Sequence, residues 1–265
     1  MGMKMENLLF VTDLDGTALG GGFKPYARFP DHFSEFLDAL AAKGCRWAIN
    51  TTWDAGGQLD LVNLSSVKSR PDFLMAEFGR RLARPGADGP EFVEPYTADM
   101  GRRLDEFLEH GMHPMIQTLC GQFKAEKIFF YGHLFQFILS GTENAAAFAT
   151  STEPYRRAPE LVCALNGRSF SARPAFLSKA APLREAAALL GLAPERIVVA
   201  GDEATDLAMM APDLAAHHLC PANAAEEVKR HVRKHGGEVG ELPFAAGVIQ
   251  AFKRLADRNK WQLFN

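Results

Sequence analysis

Short apolar runs, each cut off by polar residues, frame this sequence. Leu8 to Thr12 runs into Asp13, Trp47 to Ile49 into Asn50 and Thr51, and Ile197 to Ala200 into Gly201 and Asp202. Runs of this length look like strands buried on both faces, as in a parallel sheet. Between the first two, Phe33, Phe36, Leu37, Leu40 and Ala41 recur at three- and four-residue spacing, which predicts a helix with Asp31 capping its start and Gly44 its end. Pro182 to Leu190 predicts another helix, stopped at Gly191, and Asp206 to Met210 begins one after the third run. The β-α-β alternation indicates an α/β fold, a doubly wound parallel sheet of Rossmann-like type. Ligands bind such sheets beyond the carboxyl ends of the strands, where the polar residues after the three runs would gather.

From about Leu82 to Arg168 the pattern changes. Met100, Leu104, Phe107 and Leu108 suggest a helix, Lys127 to Tyr131 and Leu134 to Leu139 read as strands, and Asn144 to Phe148 starts a second helix. Asn166-Gly167 then joins Leu161 to Leu165 with Ser169 to Arg173 through the turn chemistry of a tight hairpin. The expectation is a core of residues 1–81 and 169–265 with a smaller α+β domain, residues 82–168, inserted into it. The Gly- and Pro-rich stretch Pro85 to Pro90 would lie near the first crossing between them.

Composition narrows the partners. At 265 residues, 47% hydrophobic and 23% charged, the chain can bury a sizeable core. Its 29 basic and 32 acidic residues give a net charge of −3, no electrostatic reason to expect nucleic acid or an anionic membrane. A small-molecule substrate fits better. No apolar run approaches the ~20 residues of a bilayer span, and Met1 to Phe10 lacks a signal peptide's layout, so a cytoplasmic protein is expected. Cys45, Cys120, Cys163 and Cys220 form no CxxC pair and point to reduced thiols. His231 and His235 have the spacing of a metal pair on a helix face, but Lys229, Arg230, Arg233 and Lys234 around them read as a solvated basic face. His110 and His113 lack an obvious third ligand, and Gly20-Gly21-Gly22 reads as a flap.

The chemistry sits at the strand ends. Asp13 and Asp15 flank Leu14 in an extended segment, so both carboxylates project to one side. Gly16 follows where the chain must turn sharply, and the Thr17 hydroxyl can bond locally to hold that turn. Two carboxylates at a strand end are expensive to desolvate without a cation. Taken singly, Asp202 and Asp206 could each cap the following helix, Thr51 could end a strand, and Lys179 could be a solvated surface lysine.

DLDGT after an apolar strand resembles the first motif of the haloacid dehalogenase-like (HAD) hydrolases, a superfamily dominated by phosphatases. Ala48-Ile49-Asn50-Thr51 is similar to the second motif, Ser178-Lys179 to the third, and Gly201-Asp202-Glu203-Ala204-Thr205-Asp206, followed by Met209, to the fourth. Asn223-Ala224 ahead of Val228 resembles what trails that motif in the Cof-type and sucrose-phosphatase-like branches, which carry an α/β cap between the second and third motifs. The resemblance implies Asp13 as nucleophile and Asp15 as acid, then base. It further implies magnesium held by Asp13, Asp202 and the main-chain oxygen of Asp15, with Thr51 and Lys179 on the phosphoryl oxygens and Asp206 and Asn223 in support. Charge balance agrees, since four aspartates and a dianionic phosphate repel, and one unlike pair at 4 Å returns ~4 kcal/mol at intermediate screening.

Two departures stand out. Thr52-Trp53 replaces the usual Gly-Arg, which makes Trp53 a candidate for substrate choice, and Thr205 replaces the usual Asn. The expected reaction is magnesium-dependent hydrolysis of a small phosphorylated metabolite such as a sugar phosphate, with the insertion covering the core and selecting the substrate. A phosphotransferase or mutase on the same core, and a phospho-accepting signalling switch, are the alternatives.

Overall fold

The computed structural model describes residues 5, 7–20, 27–131 and 133–261. Gly21 and Gly22 of the expected flap lie outside the described residues. The chain divides into two compact units, one of residues up to Thr97 together with those from Ser178, the other Ala98–Leu177.

The larger unit opens with β1 (Leu9–Thr12), α1 (Asp31–Ala42), β2 (Arg46–Asn50), α2 (Ala55–Leu64) and β3 (Phe73–Ala76). A hairpin of β4 (Arg81–Pro85) and β5 (Pro90–Phe92) follows, and then α3 (Glu94–Phe107), which runs into the smaller unit. The smaller unit continues through a π-turn at Leu108–Met112, α4 (His113–Gln122), β6 (Ala125–Phe130), β7 (Phe135–Leu139), α5 (Ala145–Arg157), β8 (Leu161–Asn166) and β9 (Ser169–Pro174). The chain then re-enters the larger unit with α6 (Ala180–Leu190), β10 (Ile197–Ala200), β11 (His217–Cys220), α7 (Glu226–Lys234), β12 (Glu238–Val239) and α8 (Phe244–Asn259).

The large sheet runs β12-β11-β10-β1-β2-β3-β4-β5, parallel from β12 to β3 and antiparallel at β4 and β5. Alternate strand residues feed two cores. Phe10, Ile49, Val198 and Leu219 pack with α1, α2 and α8, whereas Leu9, Val11, Ile197 and Val199 pack with α6 and α7. Each strand is therefore apolar on both sides, the reason the runs read as continuous. From β1 the chain winds outward through β2, and from β10 outward through β11, so the winding reverses between β1 and β10. The crevice at the carboxyl ends of those two strands is the usual binding place in such a sheet.

In the smaller unit the antiparallel order β6-β7-β9-β8 is covered on one side by α4 and α5, with Phe135, Phe137, Phe148 and Phe170 at its centre. The Asn166-Gly167 turn joins β8 to β9, with Gly167 at φ 59°.

Four local expectations are corrected. The unit boundaries fall at 97/98 and 177/178, because residues 82–92 complete an antiparallel edge of the large sheet and Pro85 to Pro90 is the turn of that hairpin, closed by Gly86 N–H to the Gly89 carbonyl at 2.9 Å. Pro30, not Asp31, occupies the N-cap of α1, and Asp31 instead accepts from the Ser66 hydroxyl at 2.9 Å. The helix expected at Asp206 to Met210 is a 3-10 turn at Ala204–Ala208. The Thr17 hydroxyl, expected to bond within its own turn, reaches Asp202 Oδ1 at 2.7 Å.

Candidate active site

Asp13 and Asp202 are the first polar positions beyond β1 and β10. The Asp13 N–H continues the parallel ladder by donating to the Ala200 carbonyl at 3.0 Å, which fixes the two loops side by side. Beyond Asp13 the chain turns at Gly16, whose φ of 80° is left-handed. A Cβ there would stand 2.2 Å from Asp202 Oδ2, so only glycine lets the turn approach that carboxylate. Asn223 holds the turn from another side, donating from Nδ2 to the Gly16 carbonyl at 2.7 Å while its Oδ1 accepts from Phe244 N–H at 2.7 Å.

Lys179 lies at the N-cap of α6, where the helix dipole disfavours a cation. Its compensation is direct. Nζ stands 2.7 Å from Asp13 Oδ1 and 2.5 Å from Asp206 Oδ1, with all three side chains buried. Asp206 is both a cap and a counter-ion, since its Oδ2 accepts from the N–H groups of Asp202 and Glu203 at 2.8 and 2.9 Å. Asn50, a residue sequence reasoning passed over, donates from Nδ2 to the Lys179 carbonyl at 2.7 Å and so ties the end of β2 to α6. Its signal was its place: a polar side chain, fully buried, ending an apolar strand.

Burial dominates the electrostatics. It pushes the Asp13 carboxyl up to about 7, with Lys179 pulling down and Asp206 pushing up. Asp202 is raised to about 6, again mainly by burial, opposed by the Thr17 hydrogen bond. The Lys179 ammonium, which burial alone would lower, is held above its ordinary value by its two aspartates.

Asp13, Asp202 and Asp206 each place a carboxylate oxygen within 4.8 Å of the others. Such an all-oxygen donor set suits a hard divalent cation. Asp206 has both oxygens engaged, Oδ1 with Lys179 and Oδ2 with the two N–H groups.

Asp15 is half-buried two residues on. Its Oδ2 accepts from the Trp53 indole N–H at 2.6 Å, and its buried Oδ1 has no hydrogen-bond partner. Trp53 is held in turn, because Gln58 Nε2 donates to its carbonyl at 3.1 Å and Glu77 N–H also donates to it at 3.1 Å. Thr51 is buried at the end of β2, next to β1 in the sheet, with its N–H on the Met75 carbonyl at 3.1 Å. The structure thus brings Asp13, Lys179, Asp202 and Asp206 into one cluster. Asp15 is joined to Trp53, and Asn223 to the Gly16 turn. Thr51 is placed by its strand alone.

No protein-family model matches the sequence, and no curated protein matches it. Solved structures do match over nearly the whole length. The sucrose-phosphatase of Synechocystis sp. PCC6803, in complex with sucrose and phosphate, aligns at TM-score 0.64 and 17% identity, covering 96% of this chain and 98% of that one. A haloacid dehalogenase-like hydrolase protein from Bacillus subtilis aligns at TM-score 0.56 and 15% identity over 94% and 92%. A phosphatase of the same superfamily from Bacteroides thetaiotaomicron aligns at TM-score 0.60 and 15% identity over 95% and 96%. The chain has the HAD-like hydrolase fold. No helix among the described residues is long and apolar enough to cross a membrane.

Proposed function

We propose that this protein is a phosphomonoester hydrolase that works through a phospho-aspartyl intermediate on Asp13. The observation that carries the reading is the buried Asp13–Lys179–Asp206 triad beside Asp202, at the reversal point of a sheet whose fold is that of HAD-like hydrolases. A buried lysine between two aspartates costs too much desolvation to be favoured for stability alone. Its placement makes sense as a cradle for an anion.

In the first step an oxygen of Asp13 forms a bond to phosphorus as the bond from phosphorus to the leaving oxygen breaks. The leaving oxygen keeps that electron pair and takes a proton from Asp15. Water then adds to the phosphorus of the acyl phosphate, giving its proton to Asp15, and the Asp13 carboxylate and inorganic phosphate are released. Trp53 orients Asp15 by occupying Oδ2, which leaves Oδ1 to carry the proton. Lys179 holds the Asp13 carboxylate and, with Thr51, meets the phosphoryl oxygens.

Asp13, Asp202 and the main-chain oxygen of Asp15 would hold magnesium, which supplies charge neutralisation between the carboxylates and the phosphate. Small phosphorylated metabolites are the substrate class, with sugar phosphates first because the sucrose-phosphatase structure aligns over nearly the whole chain. The test is a screen of phosphorylated metabolites for release of inorganic phosphate with magnesium and with chelator. Release that needs magnesium but no acceptor alcohol supports hydrolysis. Transfer only to an added alcohol would instead establish a phosphotransferase.

A further inference from the structure

Three imidazoles converge on the α7 side of the large sheet. His218 comes from β11, His231 from α7, and His235 from the residue that caps it. Their ring centroids lie 4.2 to 5.7 Å apart, and one nitrogen from each ring lies within 4.8 Å of the other two. The basic face expected from Lys229, Arg230, Arg233 and Lys234 is only half the picture, since His231 and His235 are half-buried and His218 is 1% exposed.

Each ring spends one nitrogen on a main-chain carbonyl. His218 Nε2 meets the Ala215 oxygen at 2.7 Å, His231 Nε2 the Met210 oxygen at 2.9 Å, and His235 Nδ1 the His231 oxygen at 2.9 Å. A carbonyl can only accept, so each of these nitrogens carries the proton and the opposite nitrogen of each ring keeps a lone pair. That arrangement is how a protein fixes the tautomer of a metal-binding histidine. A second observation points the same way: His218 Nδ1, the lone-pair nitrogen of the deepest ring, is buried without any hydrogen-bond partner.

We propose that His218, His231 and His235 form a second metal site, selective for a divalent transition ion of the zinc class, through Nδ1, Nδ1 and Nε2 respectively. Three imidazoles suit zinc and its neighbours, whereas magnesium and calcium require oxygen. A tetrahedral ion with Zn–N bonds of about 2.0–2.1 Å leaves the fourth position for water. The lysines and arginines nearby disfavour a cation, but Arg230, Arg233 and Lys234 are exposed, and Lys229 is paired with Glu226 at 3.0 Å. A bound ion would pin α7 to β11 and to the Met210 carbonyl.

The experiment titrates chelator-stripped full-length protein with Zn2+ in saturating Mg2+, with the Asp13→Asn protein in parallel so that zinc held by the carboxylates is counted apart. Expected are one zinc per chain in both proteins, a rise in Tm with zinc, and the visible bands of four-coordinate cobalt when Co2+ replaces it. His231→Gln and His235→Gln, chosen because both positions are only half-buried, should each weaken zinc binding by more than about tenfold and abolish the cobalt bands. Absence of zinc binding under Mg2+, or binding at unchanged affinity in both histidine variants, overturns the site.

Discussion

As the proposed nucleophile, Asp13 meets two opposed demands, since attack needs it ionised and burial favours its proton. Lys179 offsets part of that cost, and a bound cation would offset more. Asp13→Asn keeps the shape and removes the nucleophile, so turnover should fall by at least about two orders of magnitude and no acid-stable label from a phosphorylated substrate should remain on the protein. Activity above about a hundredth of wild type in a demonstrably pure preparation would sink the mechanism. Trp53 tests a finer point. Sequence marked it as a bulky departure from the usual Gly-Arg, suited to choosing substrates, whereas its indole N–H in fact grips Asp15. Trp53→Phe retains most of the ring and loses that donor. Loss of the one hydrogen bond that orients the proposed acid supports a fall in kcat of about tenfold with KM within about twofold. A change confined to KM would return Trp53 to substrate choice alone.

At the scale of elements, the site depends on what three loops do after β1, β2 and β10, with the first turn of α6 closing it. Lys179 is the joint, because its ammonium spans Asp13 and Asp206 while its carbonyl accepts from Asn50. Lys179→Met would leave two buried carboxylates without their partner, a loss of roughly 3–5 kcal/mol near neutral pH. Urea unfolding at pH 7.5 and pH 5 checks this. The loss should shrink at pH 5, where an unpaired Asp13 takes up a proton, and a loss below about 1 kcal/mol at both would show that the triad adds little. These elements also show where sequence reading ends. The runs ending at Thr12, Ile49 and Ala200 were legible because strands buried on both faces leave an unbroken apolar signature. β4 and β5 were not, since at the sheet's edge Arg81, Arg84, Pro85 and Pro90 interrupt any pattern. Motif order announced Asp13, Lys179, Asp202 and Asp206. The reach of Thr17 to Asp202, 185 residues away, and the convergence of His218 with His231 and His235 depend on tertiary placement that no local spacing carries.

For the whole molecule, every group given a proposed chemical role lies outside Ala98–Leu177. Substitutions of exposed polar residues in the smaller unit should therefore leave hydrolysis of a small activated aryl phosphate within about twofold of wild type while altering kcat/KM for larger substrates. Parallel losses on both would assign that unit a part in the chemistry. The carboxylate cluster also sets a global pH response. Asp13 and Asp202 rise in the folded state from an ordinary 3.8 to about 7 and about 6, so the native protein binds their protons more tightly than the unfolded chain does. Their contribution to stability is complete below about pH 4 and disappears as pH rises through 6 and 7. Above that range the metal-free protein holds ionised carboxylates that burial opposes, and a divalent cation binds that ionised form. The gain in Tm on adding magnesium to chelator-treated protein should accordingly be small at pH 5 and about 5 °C or more at pH 8 with the ion near 100 times its Kd. Calorimetry at the two pH values, with chelator and with magnesium, decides it. An equal or larger gain at pH 5 would mean that the ion does not bind the carboxylates whose protons it is expected to displace.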